Sequence, residues 1–190
     1  MTGGVDRPGV MEVPFGIPLA DVLAGASALP GAGVLVGGYF GTWLPPESAA
    51  GALLTRKSLG VLGAGLGCGA VVVLPRGICP LPEVARVSHW LAGQSAGQCG
   101  PCANGLPAIA GALDELVDGS DADRAGRDVE RWTEMVRGRG ACKLPDGAIN
   151  FVRSAVAVFA DHIEVHRHRG PCPREHVRPV LPTPAWEALR

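Results

Sequence analysis

The stretch GQSAGQCGPCANG, residues 93–105, decides the reading of this chain, because helical spacing surrounds it on both sides. Before it, Val84, Val87 and Leu91 form the apolar stripe of one helix, which Gly93 ends. After it, Leu106, Ile109, Ala110 and Leu113 mark a second helix, and Ala125, Val129, Trp132 and Val136 a third that Ser120 or Asp121 can cap. A fourth is expected from Asp146, read as its N-cap, through Ile149, Val152, Val156, Phe159 and Ile163. Four amphipathic helices with short joins predict a small bundle. A second glycine-rich segment, GRGACKLPDG at 138–147, stands immediately before the fourth helix. Helix ends converge in a bundle, so Cys99, Cys102 and Cys142 can meet at one end although about forty residues separate the two segments.

Upstream the pattern changes. Residues 22–46 and 58–75 carry no charge and are long enough to raise the question of membrane spans. Their glycines answer it, since each costs an isolated helix about 1 kcal/mol relative to alanine, and both stretches read as turns between short buried strands. β-favouring runs at 10–13, 34–36 and 70–74 are interrupted by one short helix around Pro18, Leu19, Val22 and Leu23. The expected fold class is therefore α+β: a small mixed unit over residues 1–78 and a helical unit over 79–168, divided where Pro75, Pro80 and Pro82 stop strand and helix alike. The tail, 169–190, is rich in Pro and Arg, has no periodicity and is expected to lack order.

With 190 residues and a formal net charge of −1, the chain has no clustered excess of Lys and Arg with which to neutralise phosphates. Nucleic-acid binding is excluded on that ground, and no direct membrane insertion is expected. The opening, MTGGVDRPG, shows no basic segment followed by an apolar run, so a reducing cytoplasmic setting is expected. Disulfides are disfavoured there, and the six cysteines need another explanation.

An iron-sulfur cluster needs thiolates, and a two-residue spacer lets neighbouring sulfurs reach adjacent irons. Gly97, Gly100 and Gly105 supply turns that aim N–H groups at such a site. Two other readings stand beside it: zinc, which favours the same C-x-x-C but with a second pair, and three buried structural cysteines. A thioredoxin-like pair would follow a strand in a βαβ pattern, which is absent. Three further signals carry little chemistry. GAGLGCG, residues 63–69, puts Cys68 where a dinucleotide fingerprint needs its third glycine. The order H-I-E-V-H at 162–166 matches no zinc-protease motif, and with His168 and His176 it reads as cations near a helix C-terminus. Tyr39 and Trp43 are expected to pack, and His89 lacks a positioned partner in sequence.

S-A-G-Q-C-G-P-C-A-N-G resembles the S-C-G-x-C-x-P-C-R-x-G signature of the flavin- and NADH-binding subunit of respiratory complex I and of related NAD-linked dehydrogenases and hydrogenases. RPGVMEVPFGIPLADVL, residues 7–23, is similar to the opening of the β-grasp module that precedes the cluster domain in that family. The resemblance implies a β-grasp unit followed by a helical domain holding a 4Fe-4S cluster, with Cys99, Cys102 and Cys142 matching the second, third and fourth ligands. Two departures qualify it. The first ligand cysteine is Ala96 here, and the family's flavin and NADH domain has no counterpart, so neither FMN nor NAD is expected on this chain.

The fourth iron then needs a recruited donor or an exchangeable one, or the cluster settles as 3Fe-4S. Cys79 and Cys172 meet helix-length barriers at 1.5 Å rise per residue, whereas Cys68 lies in a glycine-rich loop free to approach. Cys68 is the favoured fourth metal ligand. The expected function is electron transfer, in which the cluster accepts electrons from a flavin or ferredoxin partner and hands them on, without NADH oxidation by this chain alone. The alternative is a zinc-stapled or cluster-free interaction domain, supported mainly by Ala96.

Overall fold

The computed structural model describes residues 1–172 and 179–183. Four short strands, β1 (Thr2–Gly3), β2 (Gly31–Val36), β3 (Thr42–Leu44) and β4 (Val71–Pro75), form one sheet in the order β1-β4-β2-β3. β1 runs parallel to β4, and β2 is antiparallel to both of its neighbours. Three short helices, α1 (Leu19–Gly25), α2 (Pro46–Gly51) and α3 (Arg56–Val61), belong to this unit. Five helices follow β4: α4 (Pro80–Gly93), α5 (Leu106–Asp118), α6 (Ala122–Val136), α7 (Leu144–Val158) and α8 (Ala160–Arg169). The expected α+β class holds.

The sheet is apolar on both faces because both are covered. Val34, Val36 and Val71 point into a small core with Leu19 and Val22 of α1, Ala49 of α2 and Leu59 of α3. The residues that alternate with them along the strands, Leu35, Val72, Leu74 and Trp43, point into the larger core shared with the helices. Strands buried on both sides lose the polar alternation of a half-exposed sheet, which is why residues 34–36 and 71–74 read as continuous apolar runs.

The helical unit is fastened to this sheet by specific bonds. Ser154 Oγ accepts from Trp43 N at 3.0 Å, and Asn150 Nδ2 donates to Gly41 O at 2.7 Å. Phe159, 2% exposed, lies so close to Gly33 that a Cβ there would approach its Cζ to 2.9 Å.

Several expectations are corrected. Residues 10–13 form no strand: Val10 is fully exposed, and both edges of the sheet end at strands with which this segment does not pair. β-favouring side chains form a strand only where a partner backbone is available. The fourth helix is two, broken at Phe159 (φ −106°, ψ 26°), whose ring is buried against the sheet. Asp146 is not an N-cap. It sits in the first turn of α7, where its carboxylate accepts from Gly138 N at 2.8 Å and pairs with Lys143 at 3.1 Å. Asp121 does cap α6, accepting from Arg124 N at 3.1 Å.

Within the stretch expected to lack order, residues 179–183 lie along α4. Leu181 is fully buried and its N–H donates to Glu83 Oε2 at 2.9 Å, while Arg86 reaches both the Leu181 carbonyl and, at 2.6 Å, Thr183 Oγ1.

Candidate metal centre

α4 ends at Gly93, and the chain bends at Gly97, whose φ of +64° is left-handed backbone that glycine adopts without strain. A π-helical turn, Pro101–Gly105, then leads into α5. Single π turns at helix ends recur at functional sites, because the wider turn re-aims side chains. Here Cys99 O accepts from Cys102 N at 3.1 Å and from Ala103 N at 2.9 Å, which folds the C-x-x-C so that the Cys99 and Cys102 thiols hydrogen-bond each other. Gly105 packs against Val136 at the end of α6 with no room for a Cβ.

Cys142 arrives from the segment between α6 and α7. Ala141 and Cys102 each direct a backbone N–H at the Cys99 sulfur, and these donors, with the Cys102 thiol, hold the Cys99 thiol below its ordinary range. Cys102 is buried, and burial pushes its thiol up, reinforced by the Cys99 thiol and by the charges that Cys99 and Cys142 carry when ionised. Ser95 adds a side-chain hydrogen bond to Cys102 that works the other way. The Cys102 sulfur thus lies within electrostatic reach of both Cys99 and Cys142, with Cys102 buried, Cys99 half-buried and Cys142 exposed.

This donor set fits an iron-sulfur cluster in three respects: a Cys102 thiol within reach of both Cys99 and Cys142, backbone N–H groups aimed at the Cys99 sulfur, and an apolar floor formed by the core around Cys102. It is incomplete in one, since Ala96 is exposed and offers no donor.

The other sequence candidates fall elsewhere. Cys68 is exposed in the loop before β4, its thiol donating to Gly37 O at 3.5 Å and lying where a Cβ on Gly38 would approach it to 2.7 Å; none of its described contacts is with the three cysteines. Cys79 and Cys172 come together with His162 at the beginning of α4, the end away from Cys99. His166 is 2% exposed, not part of a solvated cationic turn, and His176 lies outside the described residues.

Sequence reasoning missed Ser95 and the Ala141 N–H. A serine beside a cysteine motif, and a backbone donor whose direction depends on the turn before α7, carry no distinct sequence signal. It also missed His89, whose Nε2 lies 2.6 Å from Asp114 Oδ2 across α4 and α5. That pair is exposed and has no nucleophile, as the Ser88 hydroxyl donates to Val84 O at 2.8 Å within its own helix.

Residues 83–166 match the family model described as the NADH-ubiquinone oxidoreductase-F iron-sulfur binding region. Over 185 residues the chain is 28% identical to the F-type chain of NADH-quinone oxidoreductase from Mycobacterium tuberculosis (strain ATCC 25618 / H37Rv), a match that covers 91% of this chain and 40% of that protein. It is 28% identical over 172 residues to the mitochondrial NADH dehydrogenase (ubiquinone) flavoprotein 1 of Dictyostelium discoideum, covering 86% of this chain and 36% of that one. Among solved structures, the NAD+-reducing NiFe-hydrogenase in its H2-reduced state superposes with a TM-score of 0.76 at 28% identity, over 91% of this chain and 29% of that chain. The chain therefore spans about 40% of the length of the curated relatives it matches first. Residues 83–166, which carry both glycine-rich cysteine loops, are thus similar to the NADH-ubiquinone oxidoreductase-F iron-sulfur binding region.

Proposed function

We propose that the chain binds an iron-sulfur cluster through Cys99, Cys102 and Cys142 and passes single electrons between a redox partner, a flavoprotein or ferredoxin, and a further acceptor. The observation that carries this reading is that Cys102 lies within electrostatic reach of both Cys99 and Cys142, with Ala141 and Cys102 N–H groups directed at Cys99. When bound, such a cluster supplies a one-electron site whose potential follows its hydrogen bonds and exposure. The protein's part is to hold the thiolates, to place N–H dipoles that favour negative charge on sulfur, and to bury the Cys102 side while leaving Cys142 open to a partner. On this reading the units are a β-grasp domain over 1–78 and a cluster domain over 79–168. Reduced thiols suit a cytoplasmic setting, and among the described residues no helix is long and apolar enough to cross a membrane.

The relatives are named for NADH oxidation, but in residues 63–69 Cys68 stands where a dinucleotide fingerprint needs its third glycine, so isolated protein is expected not to oxidise NADH. Ala96 favours a second reading, a cluster-free or zinc-stapled interaction domain on the same scaffold. Anaerobic purification separates the two. Brown protein with iron and acid-labile sulfide, and a paramagnetic signal that changes on reduction, supports the first. Colourless protein that takes up no iron on reconstitution supports the second.

A further inference from the structure

Four side chains with no part in the cysteine centre meet at the other end of the bundle. Cys79 is the residue before the first turn of α4, His162 and His166 stand one turn apart on α8, and Cys172 follows the turn at Gly170. One ligand atom from each of Cys79, His162 and Cys172 lies within 4.8 Å of the other two. His166 Nε2 is 3.4 Å from Cys79 Sγ. From this cluster the geometry points to a structural zinc site, with Cys79, Cys172 and His162 as ligands and His166 completing the tetrahedron.

The orientation of His166 is what distinguishes this cluster from packed polar side chains. Its Nδ1 lies 3.1 Å from Leu116 O, and a carbonyl only accepts, so Nδ1 carries the proton. Its Nε2 accepts from Cys172 N at 3.2 Å, so the lone pair on Nε2 faces the two cysteines. A ring nitrogen held by a backbone carbonyl while the other presents a lone pair to thiols is the arrangement that zinc-binding histidines adopt.

The backbone is shaped to deliver Cys172. Gly170 has φ 80° and ψ −177°, a conformation essentially confined to glycine, and it reverses the chain at the end of α8. Pro171 then packs on Gly119, itself left-handed at φ +69°, where a Cβ would meet Pro171 Cδ at 3.1 Å. Two glycines thus fix the approach of one cysteine.

The chemistry selects the metal. Two thiols and two imidazoles form the S2N2 set that zinc takes in closed tetrahedral sites. Zn–S near 2.3 Å and Zn–N near 2.0–2.1 Å imply ligand-to-ligand edges of about 3.4–3.8 Å. The Cys79–His166 edge already has that length, and the ligand atoms of Cys79, His162 and Cys172 lie within 4.8 Å of one another. On binding, both thiols lose their protons to solvent, and His166 Nε2 exchanges the Cys172 N–H for the metal. The ion then joins the start of α4, α8 and the turn at Gly170 that carries Cys172.

The test uses the full chain, purified anaerobically and reconstituted with iron and sulfide, with metals measured by mass spectrometry after gel filtration with a weak chelator. About one zinc per chain is expected. Cys79→Ser and Cys172→Ser should each lower zinc retention at least about tenfold and leave iron unchanged. Cys99→Ser should do the reverse, which separates this site from the cysteine centre. Should the variants fail to fold, cobalt titration of the unaltered chain still decides, because tetrahedral thiolate coordination gives intense visible bands that zinc abolishes. Absence of both zinc retention and those bands in folded protein overturns the assignment. So does zinc that follows Cys99, Cys102 and Cys142, or a Cys79–Cys172 disulfide in the anaerobic protein.

Discussion

Phe159 sets its ring edge-on against Trp43, with centroids 5.1 Å apart and planes at 71°, so the break between α7 and α8 falls where the bundle meets the sheet. Both rings are 2% exposed. Phe159→Ala should cost about 3–5 kcal/mol, the range for removing a buried aromatic side chain. Urea unfolding followed by circular dichroism measures it, and a loss below about 1 kcal/mol would show that the seam does not depend on this contact.

The strap formed by residues 179–183 rests on one buried carboxylate. Glu83 pairs with Arg86 at 2.7 Å and accepts the Leu181 N–H, so Glu83→Ala strands the buried Leu181 donor and removes the anionic partner of Arg86. We expect a loss of roughly 1–3 kcal/mol and faster proteolytic removal of the C-terminal segment. Unchanged cleavage kinetics would mean that apolar packing of Leu181 alone retains the strap.

Tyr39 gives a pH readout with a single reporter, since it is the chain's one tyrosine. Burial pushes its hydroxyl up to about 12, with the nearby Arg86 acting against this and Glu83 with it. The unfolded hydroxyl titrates near 10, so the unfolded state loses its proton first as pH rises. Tyr39 therefore contributes stability that is fully present below about pH 10 and is lost as pH rises towards 12. Ultraviolet titration should find tyrosinate near 12 in folded protein and near 10 in denaturant, and coincident curves would refute the burial argument.

Much of this was legible in the sequence, and the failures have physical causes. The stripes of α4, α5 and α6 are long enough for a 3.6-residue period to show, whereas β1 has two residues and β3 three, too few to carry any period. The break at Phe159 was invisible because its apolar side chain continues the stripe from Ile149 to Ile163, and tertiary contact with Trp43, not a local signal, ends the helix. Helix length kept Cys172 away from the three cysteines, and Cys172 does lie at the opposite end of α4. Its place beside Cys79, however, depends on the turn at Phe159 and the left-handed Gly170, which carry no helix-length signal. For the proposed cysteine centre, spacing and glycines singled out Cys99, Cys102 and Cys142, but nothing local could say which N–H groups would face them.

Ligand assignment is tested residue by residue. Cys99→Ser, Cys102→Ser and Cys142→Ser should each strip most of the iron, since each removes one of three available thiolates. Iron content unchanged in all three variants would remove the proposed centre altogether.

The fourth iron is the sharper case. Ala96 offers no donor, and two side chains remain in view: Ser95, whose hydroxyl already reaches Cys102, and Cys68, whose thiol is engaged with Gly37 O. If Cys68 ligates, Cys68→Ala should shift the oxidised protein towards the paramagnetic three-iron form. Ala96→Cys on that background should restore four irons, because it rebuilds a C-x-x-C-x-x-C run in the loop that already places the next two sulfurs. An unaltered spectrum in Cys68→Ala rejects Cys68 and leaves Ser95 or an exchangeable water. Ser95→Ala then separates those two, since loss of an oxygen ligand alters the spectrum, whereas loss of a hydrogen bond to Cys102 moves only the potential.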